Sequence, residues 1–155
     1  MECKRALEEA QGDMEAARKI LRKRGMQLAA KKSQREARAG KVESYIHSAG
    51  NIGVLLEINC ETDFVSRNEE FCKLARDVAM QIAAMQPEYI GKDDVPEEIR
   101  NKNKEDGDFF RQVCLLEQPF IKDQGLTIKE YISSVIAKTG ENIVVRRFVR
   151  YKLGE

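Results

Sequence analysis

The chain of 155 residues contains a single histidine, His47. No serine or cysteine nucleophile motif accompanies it, so nothing supports a catalytic triad. Cys3, Cys60, Cys72 and Cys114 form no Cys-x-x-Cys pair. That spacing speaks against a structural zinc site. The cysteines lie in apolar patterns instead, as reduced, buried thiols of a cytosolic protein do. No Gly-x-x-x-x-Gly-Lys-Ser/Thr loop is present, and no Gly-x-Gly-x-x-Gly follows a strand. The residues therefore predict neither a metal nor a cofactor, and a small enzyme is the least favoured reading for want of a site. No apolar run approaches the roughly 20 residues of a membrane span. The start, Met1 to Arg5, leads into no apolar core of a signal peptide. An excess of one charge sign is missing too. Lys and Arg total 27 against 26 Asp and Glu, a formal net charge of +1, so net charge names no partner.

The residues that are there describe a soluble globular chain. Hydrophobic content is 42% and charged content 34%, which fits one domain, or one domain with a small helical appendage. Residues 3–24 read as a helical hairpin. Leu7 and Ala10 mark one apolar stripe, Gly12-Asp13 breaks it, and Asp13 can cap the next helix. Met14, Ala17, Ile20 and Leu21 then recur at helical spacing, and Gly25 suits the helix end. Two short helices bury little alone, so this unit needs a third element or a partner. Residues 26–39, Ala-rich and basic, read as an exposed connecting helix that Gly40 ends.

A β-hairpin comes next. Val42, Ser44 and Ile46 alternate with Glu43, Tyr45 and His47, and Ser48 to Asn51 supply turn residues. Ile52, Val54, Leu56, Ile58 and Cys60 then form an unbroken apolar face at a period of two, the clearest strand signal in the chain. After Val65, Ser66 to Glu69 has capping-box spacing. Phe71, Leu74, Ala75, Val78, Ile82 and Met85 give a long helical stripe ended near Pro87. Residues 88–108 are polar and weakly patterned. Thr127 to Glu130 is a second capping box, opening a helix with Ile128, Tyr131, Ile132, Val135 and Ile136 on one face. Gly140 ends it. The last strand puts Ile143, Val145, Val149, Tyr151 and Leu153 on one side, and Val144, Arg146, Phe148, Arg150 and Lys152 on the other. Without regular βαβα alternation, the pattern predicts an α+β fold: a small, mainly antiparallel sheet with helices packed on one face.

Two stretches carry functional information. The basic stretch from Arg18 to Arg38 holds nine Lys and Arg against Glu36 alone. It fits a solvated helix face, an acidic protein surface or RNA, although no aromatic residue interleaves the charges to stack bases. The turn at Thr62-Asp63-Phe64-Val65 also has two readings. Phe64 either tucks under the sheet while Asp63 caps the helix, or it projects as a wedge that fills a partner's pocket beside a charge.

Several blocks of this sequence resemble those of the elongation factor Ts family, nucleotide-exchange factors for elongation factor Tu. Asn59-Cys60-Glu61-Thr62-Asp63-Phe64-Val65 is similar to the family signature. Met1 to Leu7, Ala29 to Lys32, Leu116 to Phe120 and Gly140 to Phe148 match further blocks in the same order, across nearly the whole chain. The resemblance implies that residues 1–25 are part of a ubiquitin-associated-like helical domain, 26–40 a connecting helix and 41–155 the core exchange-factor domain. It implies docking on elongation factor Tu through the first helices, where Cys3, Lys4 and Leu7 stand. It also implies that Thr62, Asp63, Phe64 and Val65 dislodge the magnesium ion, with Phe64 as the wedge between partner helices.

By the same resemblance the chain is expected to be a cytoplasmic translation factor, bacterial or organellar, that is not an enzyme and carries no cofactor; GDP and GTP sit on the partner. The family's first helix and its Gly-rich turn would precede Met1, and the stretch between Ile99 and Phe110 is shorter than the family pattern. The chain resembles the short family form, in which a homodimer supplies the second half. A homodimer is therefore expected, with strand 142–153 as its edge. Against this stands an RNA-binding module built on residues 18–38, with steeply salt-dependent affinity. An adaptor using the helical pair alone would leave most of the chain unexplained.

Overall fold

A computed structural model describes all residues 1–155. The helices α1 (Glu2–Glu9) and α2 (Met14–Lys32) form the first hairpin. Strands β1 (Ala39–Ile46) and β2 (Ile52–Cys60) form the second, and the one-turn helix α3 (Asp63–Ser66) leads into α4 (Glu69–Met85). Two short helices, α5 (Glu97–Lys102) and α6 (Gly107–Val113), occupy the weakly patterned stretch. The small hairpin β3 (Pro119–Phe120) and β4 (Asp123–Thr127) precedes α7 (Ile128–Thr139) and the final strand β5 (Ile143–Lys152). The result is the expected α+β fold. One three-stranded sheet runs β1-β2-β5, with β2 central and antiparallel to both neighbours.

The period-two face of β2 does what its pattern predicts. Val54, Leu56, Ile58 and Cys60 point inward and are buried against α4 and α7. The helical stripe completes the core: Phe71, Leu74, Ala75, Val78 and Ile82 from α4, and Ile128, Ile132, Val135 and Ile136 from α7. Met85 leaves the stripe and is partly exposed at the helix end, where Gln86 takes the left-handed conformation at φ 49°. The second capping box forms as read: Glu130 N donates to Thr127 Oγ1 at 3.2 Å, and Thr127 N donates to Glu130 Oε2 at 2.9 Å. Asp13 caps α2, accepting from Glu15 N at 2.9 Å. The first expected capping box does not form. Asn68 caps α4 instead, through Oδ1 from Glu70 N at 2.8 Å, because Ser66 closes α3 by donating to Asp63 O.

Three expectations are corrected. First, Gly25 does not end a helix. It lies buried in the middle of α2, where a β-carbon would stand 3.6 Å from the Ser133 carbonyl of α7. A mid-helix glycine costs about 1 kcal/mol relative to alanine; the distance to α7 is ordinary van der Waals contact that a methyl group would also make, so nothing in the structure requires glycine here. Second, the connecting segment is not helical throughout: α2 ends at Lys32 and β1 begins at Ala39. Gly40 belongs to that strand. Its φ of +140° and a β-carbon that would stand 2.3 Å from Ile58 O explain the glycine. Third, β5 does not keep one face throughout. The β2–β5 register shifts: Ile58 pairs with Val145 but Glu57 with Arg147, leaving Arg146 as the extra residue of a bulge. A bulge moves every later side chain to the opposite face. Ile143 and Val145 therefore point into the core, whereas Phe148 packs against the core and Val149 and Tyr151 turn outward.

Candidate partner-binding site

Thr62 to Val65 sits where β2 hands over to α3. Phe64 is 84% exposed, and Asp63 beside it is exposed as well. Of the two readings of this turn, the projecting ring is the one that forms. Val65 takes the other direction: it is 5% exposed and belongs to the main core. It anchors the turn from beneath and leaves no surface for a partner. Thr62 caps the helix, accepting from Val65 N at Oγ1 over 3.4 Å. The ring therefore projects from a capped single turn whose next residue, Val65, is buried.

Two carboxylates hold the base of this turn. Glu141, in the tight connection between α7 and β5, accepts from Glu61 N at 3.1 Å and Thr62 N at 3.0 Å. Its other oxygen accepts from the Thr62 hydroxyl at 2.6 Å. Glu61 reaches back and accepts from Asn142 N at 2.7 Å. The Arg35 guanidinium stands 3.8 Å from Glu61, and the buried Asn142 donates to Arg35 O at 2.8 Å. Neither periodicity nor motif spacing marks Glu61, Glu141 or Asn142 for this part. Glu141 is 79 residues from Thr62 in the chain, and only the sheet order brings β2's end beside β5's start.

Cys60 lies under the same turn and donates to Thr62 O at 3.2 Å. Burial, followed by the nearby Glu141 carboxylate, pushes its thiol up to about 11. Cys3 is exposed, Cys72 partly buried and Cys114 buried. Because the thiolate is the reactive form, alkylation of the folded chain at pH 8 is expected to label Cys3 first and to spare Cys60 and Cys114. Mass mapping after iodoacetamide treatment checks this; early labelling of Cys60 would show that the turn opens readily. No three of the His, Cys, Asp and Glu side chains converge as a metal-ligand group, and His47 lies at the exposed hairpin end, 3.4 Å from Tyr45 OH.

The first helix presents Cys3, Lys4 and Leu7 on its outer surface, while Ala6 turns inward and is buried. Much of the basic stretch is engaged within the molecule. Arg22 donates to Gly125 O at 2.7 Å, and Lys32 to Gly140 O at 2.6 Å, where it meets the C-terminal end of α7 and its partial negative charge. Arg24 bridges to Glu2 and Glu9 of α1 at 3.2 and 2.6 Å. These cations tie α2 to its neighbours.

The outer face of the three-stranded sheet is apolar and open. Ser44, Leu55 and Val149 form one cross-strand row, and Ile46, Gly53 and Tyr151 the next. Val42 and Tyr151 are 67% and 72% exposed. The Arg147–Glu57 pair, at 2.7 Å, closes one end of the patch.

No helix is long and apolar enough to cross a membrane. The chain matches the family model described as "Elongation factor TS" over residues 6–106 and 107–155. The division falls inside the stretch expected to be short. Similar proteins include the elongation factor Ts of Carboxydothermus hydrogenoformans, 53% identical over 178 aligned residues that cover 100% of this chain and 82% of that protein. Those of Moorella thermoacetica and Thermodesulfovibrio yellowstonii are each 49% identical, again over 100% of this chain and over 88% of theirs. With the signature turn intact and the match running along nearly the whole length, the chain belongs to the elongation factor Ts family.

Proposed function

We propose that this chain is a translation elongation factor that binds elongation factor Tu in its GDP form, displaces magnesium and promotes GDP release so that GTP can bind. The carrying observation is Phe64, a ring 84% exposed on a capped turn. A ring held out of the core at the signature turn is placed to fill a pocket of a partner as an aromatic anchor. Cys3, Lys4 and Leu7 on α1 supply the docking surface, and Asp63 and Phe64 act at the nucleotide site. No chemistry on the nucleotide is required. The factor binds the nucleotide-free partner more tightly than the GDP-bound one, and by reciprocity nucleotide is held more weakly while the factor is bound. Magnesium offsets phosphate charge, so moving it weakens retention further. The test is release of a fluorescent GDP from elongation factor Tu with and without the chain. Large acceleration is the expected result; none would sink the reading.

The same reading includes a homodimer; in place of the expected edge of strand 142–153, we seat it on the outer sheet face, to which β5 contributes Val149 and Tyr151. A contiguous apolar patch on a sheet is stable in water only when small or covered, and this one joins Val42, Leu55, Val149 and Tyr151 across all three strands. Leu55→Glu places a charge in the middle row without touching the core. Light scattering is expected to give twice 17.7 kDa for the parent chain and 17.7 kDa for the variant. A parent chain already at the single mass would remove the dimer.

A further inference from the structure

We infer that Glu141 is a positioning residue for nucleotide exchange: its carboxylate holds the Glu61-Thr62 base rigid so that Phe64 displaces the partner instead of yielding to it. This rests on the exchange reading above.

The helix that carries Phe64 is weak by itself. It spans only Asp63–Ser66, and a single helical turn has almost no stability of its own. Thr62 caps it over a long 3.4 Å. Below it, Val65 is anchored in the core, but one buried side chain fixes a point and leaves a rotation free. Glu141 removes that freedom. Two backbone N–H groups and one hydroxyl donate to its carboxylate, at 3.1, 3.0 and 2.6 Å. All three donors belong to the two residues just before α3. The Thr62 hydroxyl serves both ends at once, donating to Glu141 and accepting from the helix it caps.

The clamp is reciprocal. Glu61 accepts from Asn142 N, so each carboxylate secures the backbone that carries the other. Asn142 is buried and also fixes Arg35 O. The base of the turn is thus tied to the start of β5 and to the segment after α2. Hydrogen bonds to an ionised carboxylate are about twice as strong as neutral ones. Sheet pairing of Cys60 with Ile143 sets the two turns side by side.

Rigidity matters for exchange because a ligand shifts an equilibrium only by its differential affinity for the two states. A ring on a rigid base fits the displaced partner and clashes with the GDP-bound one. A ring on a loose base folds aside and binds both alike. Loosening the clamp therefore lowers the maximal release rate and leaves docking through α1 intact.

The test titrates the full chain against elongation factor Tu loaded with fluorescent GDP. For Glu141→Ala, the maximal release rate is expected to fall about tenfold, the size that follows from losing hydrogen bonds to a charged group, at an unchanged half-saturating concentration. Glu141→Gln, which keeps the shape and one carbonyl acceptor, is expected to recover part of that loss and serves in place of alanine if the alanine variant does not fold. A merely structural role would raise the half-saturating concentration and leave the maximal rate. Combined with Phe64→Ala, the Glu141 substitution is expected to add nothing, because it acts through that ring. Amide hydrogen exchange on the isolated chain is expected to speed up at Glu61 and Thr62 in both variants. Wild-type release by Glu141→Ala, or a loss that multiplies with that of Phe64→Ala, overturns the inference while leaving the exchange reading standing. Failure of the parent chain to accelerate release overturns the exchange reading and with it the role given to Glu141.

Discussion

Phe64→Ala is expected to remove most of the acceleration of GDP release while the chain stays folded. The two halves of that outcome have separate causes. The ring is 84% exposed and outside the core, and a substitution at such a position usually changes stability by no more than about 0.5 kcal/mol. An aromatic anchor seated in a partner's pocket contributes about 2–4 kcal/mol, which corresponds to roughly 30- to 1,000-fold in rate if it is made only in the displaced state. Fluorescent GDP release read beside a thermal melt separates the two. A variant that melts like its parent and still accelerates release as its parent does would leave the wedge without support.

Phe71→Ala is expected to do the reverse. Phe71 lies seven residues further on, inside α4, and is fully buried. Truncating a buried phenylalanine costs about 3–5 kcal/mol through lost transfer energy and the cavity left behind. Against a typical total of about 5–15 kcal/mol for a domain, that loss removes a large share of the fold's margin. Urea unfolding is the measurement, with a midpoint shift and an unchanged slope expected. Exchange by the protein that remains folded should be close to that of the parent. A small shift would mean that α4 can close over the vacancy. The same change at two phenylalanines thus has opposite consequences, one in function and one in stability, and burial decides which.

The sequence distinguishes these two phenylalanines only in part. Phe71 stands in a helical stripe with Leu74, Ala75, Val78 and Ile82, and periodicity alone assigns it to the core. Phe64 stands at a turn between two patterns, where periodicity is silent. The physics of the residues left both directions open, and the resemblance to a family favoured the projecting one. Val65 shows the same limit. It falls inside the signature block as a site residue, yet the structure uses it as an anchor.

β5 shows a different failure. A period of two can be counted along Ile143 to Leu153, but one bulge residue, Arg146, breaks the count. A bulge is set by pairing with β2, which is distant in sequence and invisible to a local pattern. Correcting it changes the molecule's surface, because Val149 and Tyr151 join Leu55 in an exposed patch instead of entering the core. The basic stretch behaves likewise. Charge density left a solvated face, an acidic protein surface and RNA open, and only the tertiary neighbours of Arg22, Arg24 and Lys32 show where those cations bond within the chain.

The sequence by itself determined the elements and their inward faces: the alternating β2, the stripes of α4 and α7, the caps at Asp13 and Thr127, and the α+β class. These arise from local periodicity and short-range hydrogen bonding, which neighbouring residues encode directly. Tertiary structure alone decided whether a helix passes through Gly25, where β5 changes face, and which groups hold the turn beneath Phe64. Each depends on a partner far along the chain: Ser133 beside Gly25, Glu57 and Ile58 against the bulge, Glu141 on Thr62. The free energy of those choices lies in packing and pairing between segments, so no local pattern can carry it.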